Sequence, residues 1–210
     1  SQTPASKQPR SHVPVGGGHL YIPNVSGNYA EGPSITIGAS ETWEGELDMV
    51  ITSFGNYIRP MGGLTGGWQD GFGLMFYSSG AVRCFCGGDG VGLASGVTLG
   101  TQFNVKYGYD GSDLYIDIND SRIATYATSF DAITETLQLA QQNNLTHAGE
   151  FSLQKAKLTV GSSVVFDCDF SASNIGHGGA SFQAAVGGTV TINTSGNDPA
   201  TIVRRNFLRF

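Results

Sequence analysis

Between residues 103 and 126 the chain alternates apolar and polar side chains with a period of two, interrupted twice by turn residues. Val105, Tyr107 and Tyr109 alternate up to Asp110-Gly111, Leu114, Ile116 and Ile118 alternate up to Asn119-Asp120, and Ile123 and Tyr126 come after. Successive side chains of a strand point to opposite faces, so this period marks strands with one buried face. Gly, Asn and Asp accept the positive φ of a tight hairpin turn at low cost. The segment predicts a three-strand antiparallel meander. Its buried face demands a second layer.

The rest of the chain repeats the pattern in shorter pieces. In residues 46–54, Leu47, Met49 and Ile51 share one face while Glu46, Asp48 and Val50 share the other. Residues 72–77 and 81–86 flank Ser78-Ser79-Gly80, and residues 153–160 and 164–166 flank Gly161-Ser162-Ser163, which predicts two further hairpins. Residues 189–193 read as a β-branched strand after Gly187-Gly188. Only residues 131–141 could be helical, and Thr134 and Thr136 weaken that reading. Glycine supplies 31 of 210 residues, and 13% are charged against about 25% in an ordinary globular chain. Many short strands joined by glycine-rich turns predict an all-β chain folded as a two-sheet antiparallel β-sandwich.

Residues 1–18 contain Pro4, Pro9 and Pro14 and end in Gly16-Gly17-Gly18, a composition that keeps a segment extended and joins it loosely to the first strand. They read as an N-terminal arm. Lys7 and Arg10 at one end, and Arg204, Arg205 and Arg209 at the other, have no acid around them in sequence. The remaining 6 bases and all 17 acids lie between residues 31 and 198. An acidic body repels a polyanion, so nucleic acid is excluded as the expected partner. Basic ends suit acidic protein surfaces, or are simply solvated. No apolar run approaches the roughly 20 residues that cross a bilayer, and residues 1–18 lack the apolar stretch of a secretion signal. Three cysteines cannot all pair. Cys84 and Cys86 would share a strand face, so buried free thiols in a reducing compartment are expected, with no metal site.

The stretch "FNVKYGYDGSDLYIDINDSRIATY" resembles the central meander of laminin G-like domains, members of the concanavalin A-like sandwich group. "GEFSLQKAKLTVGSSVVFDCDFS" is similar to the next element in that group. "YIPNVSGNYAEGPS" and "FDCDFSASNIGHGGASFQAAVGGTVTINTSGNDPATIV" resemble the opening and closing parts of versions found in bacteriophage virion proteins. The resemblance implies a jelly roll over residues 19–203, an arm at 1–18 and a basic, aromatic tail at 204–210. It also implies a place in a phage particle, in adhesion or decoration.

Fold does not fix function, and the same group contains lectins and glycosidases. Glu44, Glu46 and Asp48 share a strand face, as the carboxylates of concanavalin-fold glycosidases do. Retaining hydrolysis needs two carboxyls about 5–5.5 Å apart, and here Val50-Ile51 stands where the second Glu belongs. A hydrolase is therefore not expected. Asp110 and Asp113 around Gly111-Ser112, with Asp70 and Asp89 in glycine-rich stretches, are weighed as calcium ligands and read as turn residues. His12, His19, His147 and His177 are scattered, and "CGGDGVGLASG" lacks the Lys-Ser or Lys-Thr and the helix of a phosphate loop. No cofactor is expected. For carbohydrate, "GGLTGGWQDGFG" offers Trp68 with Gln69 and Asp70, and Tyr57 precedes it. Trp68 either stacks on a sugar or caps the core edge, while Trp43 reads as packing.

These readings predict a structural protein of a tailed-phage virion, assembled in the host cytoplasm and displayed as a capsid decoration protein. Its partners would be capsid or tail proteins and copies of itself, without membrane insertion. Anchoring falls to the ends: Lys7 and Arg10 in the arm, and Arg204, Arg205, Phe207 and Phe210 in the tail, where apolar anchors are flanked by arginines. The alternative is a glycan-binding tail appendage used in host adsorption.

Overall fold

The computed structural model describes residues 18–23, 27–63, 70–140, 149–170, 180–194 and 200–203. The expected anchoring residues and Trp68 and Gln69 lie outside these. Among the described residues seventeen strands succeed one another: β1 (His19–Ile22), β2 (Tyr29–Ile37), β3 (Trp43–Ser53), β4 (Tyr57–Ile58), β5 (Met61–Gly63), β6 (Phe72–Tyr77), β7 (Ala81–Cys86), β8 (Asp89–Ala94) and β9 (Gln102–Tyr109). Then come β10 (Asp113–Ile118), β11 (Ser121–Ala127), β12 (Ile133–Leu139), β13 (Glu150–Val160), β14 (Ser163–Asp169), β15 (Ser181–Gln183), β16 (Thr189–Asn193) and β17 (Thr201–Val203). No helix occurs among the described residues.

The strands form two antiparallel sheets. The eight-stranded sheet runs β11-β10-β9-β3-β13-β1-β17, with β14 beside the second half of β13. The nine-stranded sheet runs β15-β16-β2-β12-β5-β6-β7-β8, and β4 continues the β5 edge of β6. The alternating residues of the meander turn inward as their period requires: Val105, Tyr107, Leu114 and Ile116 are fully buried. Trp43 crosses the core edge-on to Phe72 (centroids 5.5 Å apart) and to Tyr107 (5.8 Å), linking the two sheets. Tyr107 lies over Gly45, where a Cβ would stand 2.5 Å from its ring, and its hydroxyl donates to the Met61 carbonyl at 3.1 Å.

Two segments differ from the sequence reading. Residues 133–139 are a strand, not a helix. Thr134 and Thr136 point outward, Ile133, Leu137 and Leu139 turn toward the core, and β12 zips between β2 and β5. β-branched residues at alternate positions fit that pleat better than a helix. The glycine-rich stretch after Cys86 is also a strand. Gly87 and Gly88 turn the chain at φ 60° and 95°, and β8 then pairs with all of β7.

Candidate functional site

The outer face of the eight-stranded sheet is a ladder of alternating charge. Read across the strands, Arg122, Asp117, Lys106, Glu46, Lys157 and Asp167 stand directly opposite one another in turn. The next row is Asn104, Asp48, Lys155 and Asp169. Directly opposed unlike charges attract across a pair of strands. Lys155 Nζ lies 3.8 Å from Glu46, Arg122 chelates Asp117, and Asn104 Nδ2 donates to Asp48 at 2.8 Å. Glu44 accepts from Tyr115 at 2.6 Å, and Arg122 covers the Tyr115 ring at 4.1 Å. Glu44, Glu46 and Asp48 thus share a face as expected, each engaged by a neighbour. The position that would carry the next carboxylate is Val50, only 3% exposed.

The turn aspartates also have local partners. Asp110 Oδ1 accepts from the backbone of Asp113 (2.9 Å) and from the backbone and hydroxyl of Ser112 (3.1 and 3.0 Å). These bonds, first among them the one from Asp113, hold its carboxyl below the usual range. Asp89 accepts from the Thr128 hydroxyl. Among the described residues no three metal-ligating side chains converge. Cys84, Cys86 and Cys168 are buried free thiols, and burial pushes Cys86 and Cys168 up to about 12.

The outer face of the nine-stranded sheet is of a different kind. Met75 and Phe85, each 1% exposed, form a small cluster outside the main core, with Tyr57 and Tyr77 packed on it. Tyr57 and Tyr77 are in register on β4 and β6, and both are partly exposed. Arg59, 3% exposed, sets its guanidinium 5.5 Å from the centre of the Tyr57 ring and in the field of both phenols. Burial raises the Tyr57 phenol above its ordinary value against the pull of Arg59. The neighbouring outer positions Gly62, Gly73, Gly90 and Gly92 carry no side chain, and Phe85 and Arg83 lean across Gly73 and Gly90 respectively.

Of the expected sugar contacts, Tyr57 lies in this patch. Asp70 precedes β6 and Tyr57 pairs with its last residue, so a six-residue strand, roughly 17–20 Å, separates the two. Tyr57 and Asp70 therefore stand toward opposite ends of β6. Arg59, Met75, Tyr77 and Phe85 carry no motif that marks them in the sequence as site residues. The continuous apolar run of β6 holds the clue, since a strand apolar on both faces is covered on both.

No protein-family model and no curated protein matches the sequence. Solved structures do match in fold. A candidate carbohydrate-binding protein from Bacteroides ovatus aligns at a TM-score of 0.65 and 11% identity, over 92% of this chain and 61% of that one. The LG4-5 domains of the mouse laminin alpha1 chain align at 0.50 and 13%, over 73% of this chain and 44% of theirs. A Trypanosoma rangeli sialidase aligns at 0.50 and 12%, over 69% of this chain and 25% of its own length. The chain has the jelly-roll β-sandwich fold that these structures share. At these identities the likeness concerns fold alone.

Proposed function

We propose that this chain is a non-catalytic glycan-recognition domain whose sugar contacts lie on the outer face of the nine-stranded sheet. The observation that carries the reading is the Tyr57–Tyr77 pair, in register, partly exposed and seated on an apolar cluster outside the main core. Tyrosine rings stack on the apolar faces of sugars while their hydroxyls bond to sugar oxygens. The outer face of the opposite sheet favours a non-catalytic reading. Its carboxylates are held by Tyr115, Asn104 and Lys155, and Val50 stands where a second catalytic carboxyl would be needed. The name of the Bacteroides ovatus neighbour agrees with this reading. The test is a glycan array probed with the wild type and with Tyr57→Ala/Tyr77→Ala, alongside reducing-sugar assays. Binding without hydrolysis, lost in a variant that still melts cooperatively, supports the proposal. Array binding that survives the double substitution refutes it.

A second reading adds attachment, and we infer it from the geometry of β1 and β17. His19 stands opposite Val203, so the chain enters and leaves the sandwich at neighbouring points. The arm at 1–18 and the tail at 204–210, carrying Lys7, Arg10, Arg204 and Arg205, would then act together as one basic anchor on a virion surface. Display on a phage particle rests on the sequence resemblance. Deleting both segments should leave folding intact and abolish co-sedimentation with phage particles; undiminished co-sedimentation would remove the anchoring role.

A further inference from the structure

The body between residues 31 and 198 carries 17 acids against 6 bases, so two copies repel each other over most of their surface. The outer face of the eight-stranded sheet is the exception. Four of the 6 bases, Lys106, Arg122, Lys155 and Lys157, stand there, each opposite a carboxylate on a neighbouring strand. The main row crosses six strands as Arg122, Asp117, Lys106, Glu46, Lys157 and Asp167, three cations and three anions in strict alternation. An alternating row of even length reverses its signs when read from the other end. Take a second copy turned by half a rotation about an axis that runs along the strands midway between β9 and β3. It sets Asp167 over Arg122, Lys157 over Asp117 and Glu46 over Lys106. The adjoining rows agree: Asn104 meets Asp48 on one side, and Glu44 meets the bare Gly108 on the other.

We propose that this face is a docking surface for a second copy of the chain, closing a two-fold dimer in which the two ladders stack face to face. The inference is independent of sugar recognition and leaves both nine-stranded faces on the outside. A two-fold contact is isologous, so every complementary pair occurs twice. The bonds within the ladder do not exhaust its charges. Lys106 Nζ has three donors and gives one to Asp120 at 3.0 Å, and Lys106, Glu46 and Lys155 keep 32%, 21% and 35% of their side chains exposed. Six strands about 4.8 Å apart, with about six residues of each at about 3.3 Å, cover roughly 29 by 20 Å. Two such faces bury about 1,200 Å² in total, the lower end of a specific interface. Twisted sheets stack about 30° off parallel, which draws the outer pairs apart and leaves Lys106 and Glu46, beside the axis, as the deciding pair. A contact of this size built on exposed charges is weak and sensitive to salt.

The test is sedimentation velocity of the full chain across concentration and salt, with the wild type beside Lys106→Glu and Glu46→Lys and thermal melts to show that each is folded. The wild type should dimerise, and about tenfold or more weakly in about 0.5 M than in about 0.05 M salt. Either charge reversal alone sets like charges across the axis twice and should leave monomer. An equimolar mixture of the two variants should restore the dimer, because the introduced carboxylate of one then faces the introduced ammonium of the other. Lys106→Gln and Glu46→Gln, which disturb the sheet less, should each weaken wild-type association about threefold or more. A wild type that stays monomeric at about 1 mM chain in low salt overturns the proposal. A dimer indifferent to both reversals overturns it too, since another surface then holds the copies together. So does a mixture of folded variants that fails to associate.

Discussion

Tyr115 donates a 2.6 Å hydrogen bond to Glu44 across a strand that puts no side chain between them. The residue between is Gly108, which stands opposite both. A Cβ on Gly108 would come within 2.0 Å of the Trp43 carbonyl oxygen, so the gap that Tyr115 spans is also a requirement of close strand approach. Tyr115→Phe removes one bond to a half-buried carboxylate and should cost about 1–2 kcal/mol, read from urea unfolding. Gly108→Ala should cost more, because backbone must move.

The charge ladder predicts an effect of sign. Glu46 stands between Lys106 and Lys157, so Glu46→Lys would place three cations side by side. It should be less stable than Glu46→Gln by about 1–2 kcal/mol at low salt, with part of the difference recovered in 0.5 M salt (~4 Å screening). Equal melting curves for the two variants would show that the ladder carries no energy.

The thiols should be silent while the chain is folded. Burial raises all three above their ordinary range, with Cys86 and Cys168 near 12, and only thiolates react readily. Ellman titration at pH 8 should find no reactive thiol in the native protein and three per chain in guanidinium. Rapid labelling of the native protein would contradict this burial.

Acid should loosen the Asp110 turn. Its folded pKa is depressed, chiefly by the Asp113 backbone bond, so its contribution is present above the ordinary carboxylate value. It is lost as pH falls through the lower folded value. Asp110→Asn should therefore flatten the decline in stability below about pH 4 while changing little near neutrality, measured by thermal melts across pH.

The meander is legible in the sequence because its information is local: alternation sets each face, and Gly111 and Asn119-Asp120 set each turn. β8 is hidden because glycine removes the side-chain signal, even though Val91 keeps its inward place. β12 is hidden because a short apolar run with two threonines suits either period. The ladder as a whole cannot be read from the sequence, although the shared face of Glu44, Glu46 and Asp48 can. It depends on β13 lying against β3, a register fixed by long-range packing more than a hundred residues apart in sequence. The tyrosine–arginine patch is half legible: Tyr57 stands out near a glycine-rich stretch, but its partner Tyr77 lies inside what reads as an ordinary core strand.

Sugar binding is proposed for the outer face of the nine-stranded sheet and not for that of its partner sheet. Backbone and aromatic NMR shifts, monitored as a bound glycan from the array is titrated in, test it most directly. Changes are expected at Tyr57 and Tyr77 and at the adjoining Arg59 and Arg83, with Glu46, Asn104, Lys106 and Lys157 unmoved. Shifts confined to Glu46, Asn104 and Lys106 would contradict it and move the site to the charge ladder of the opposite sheet.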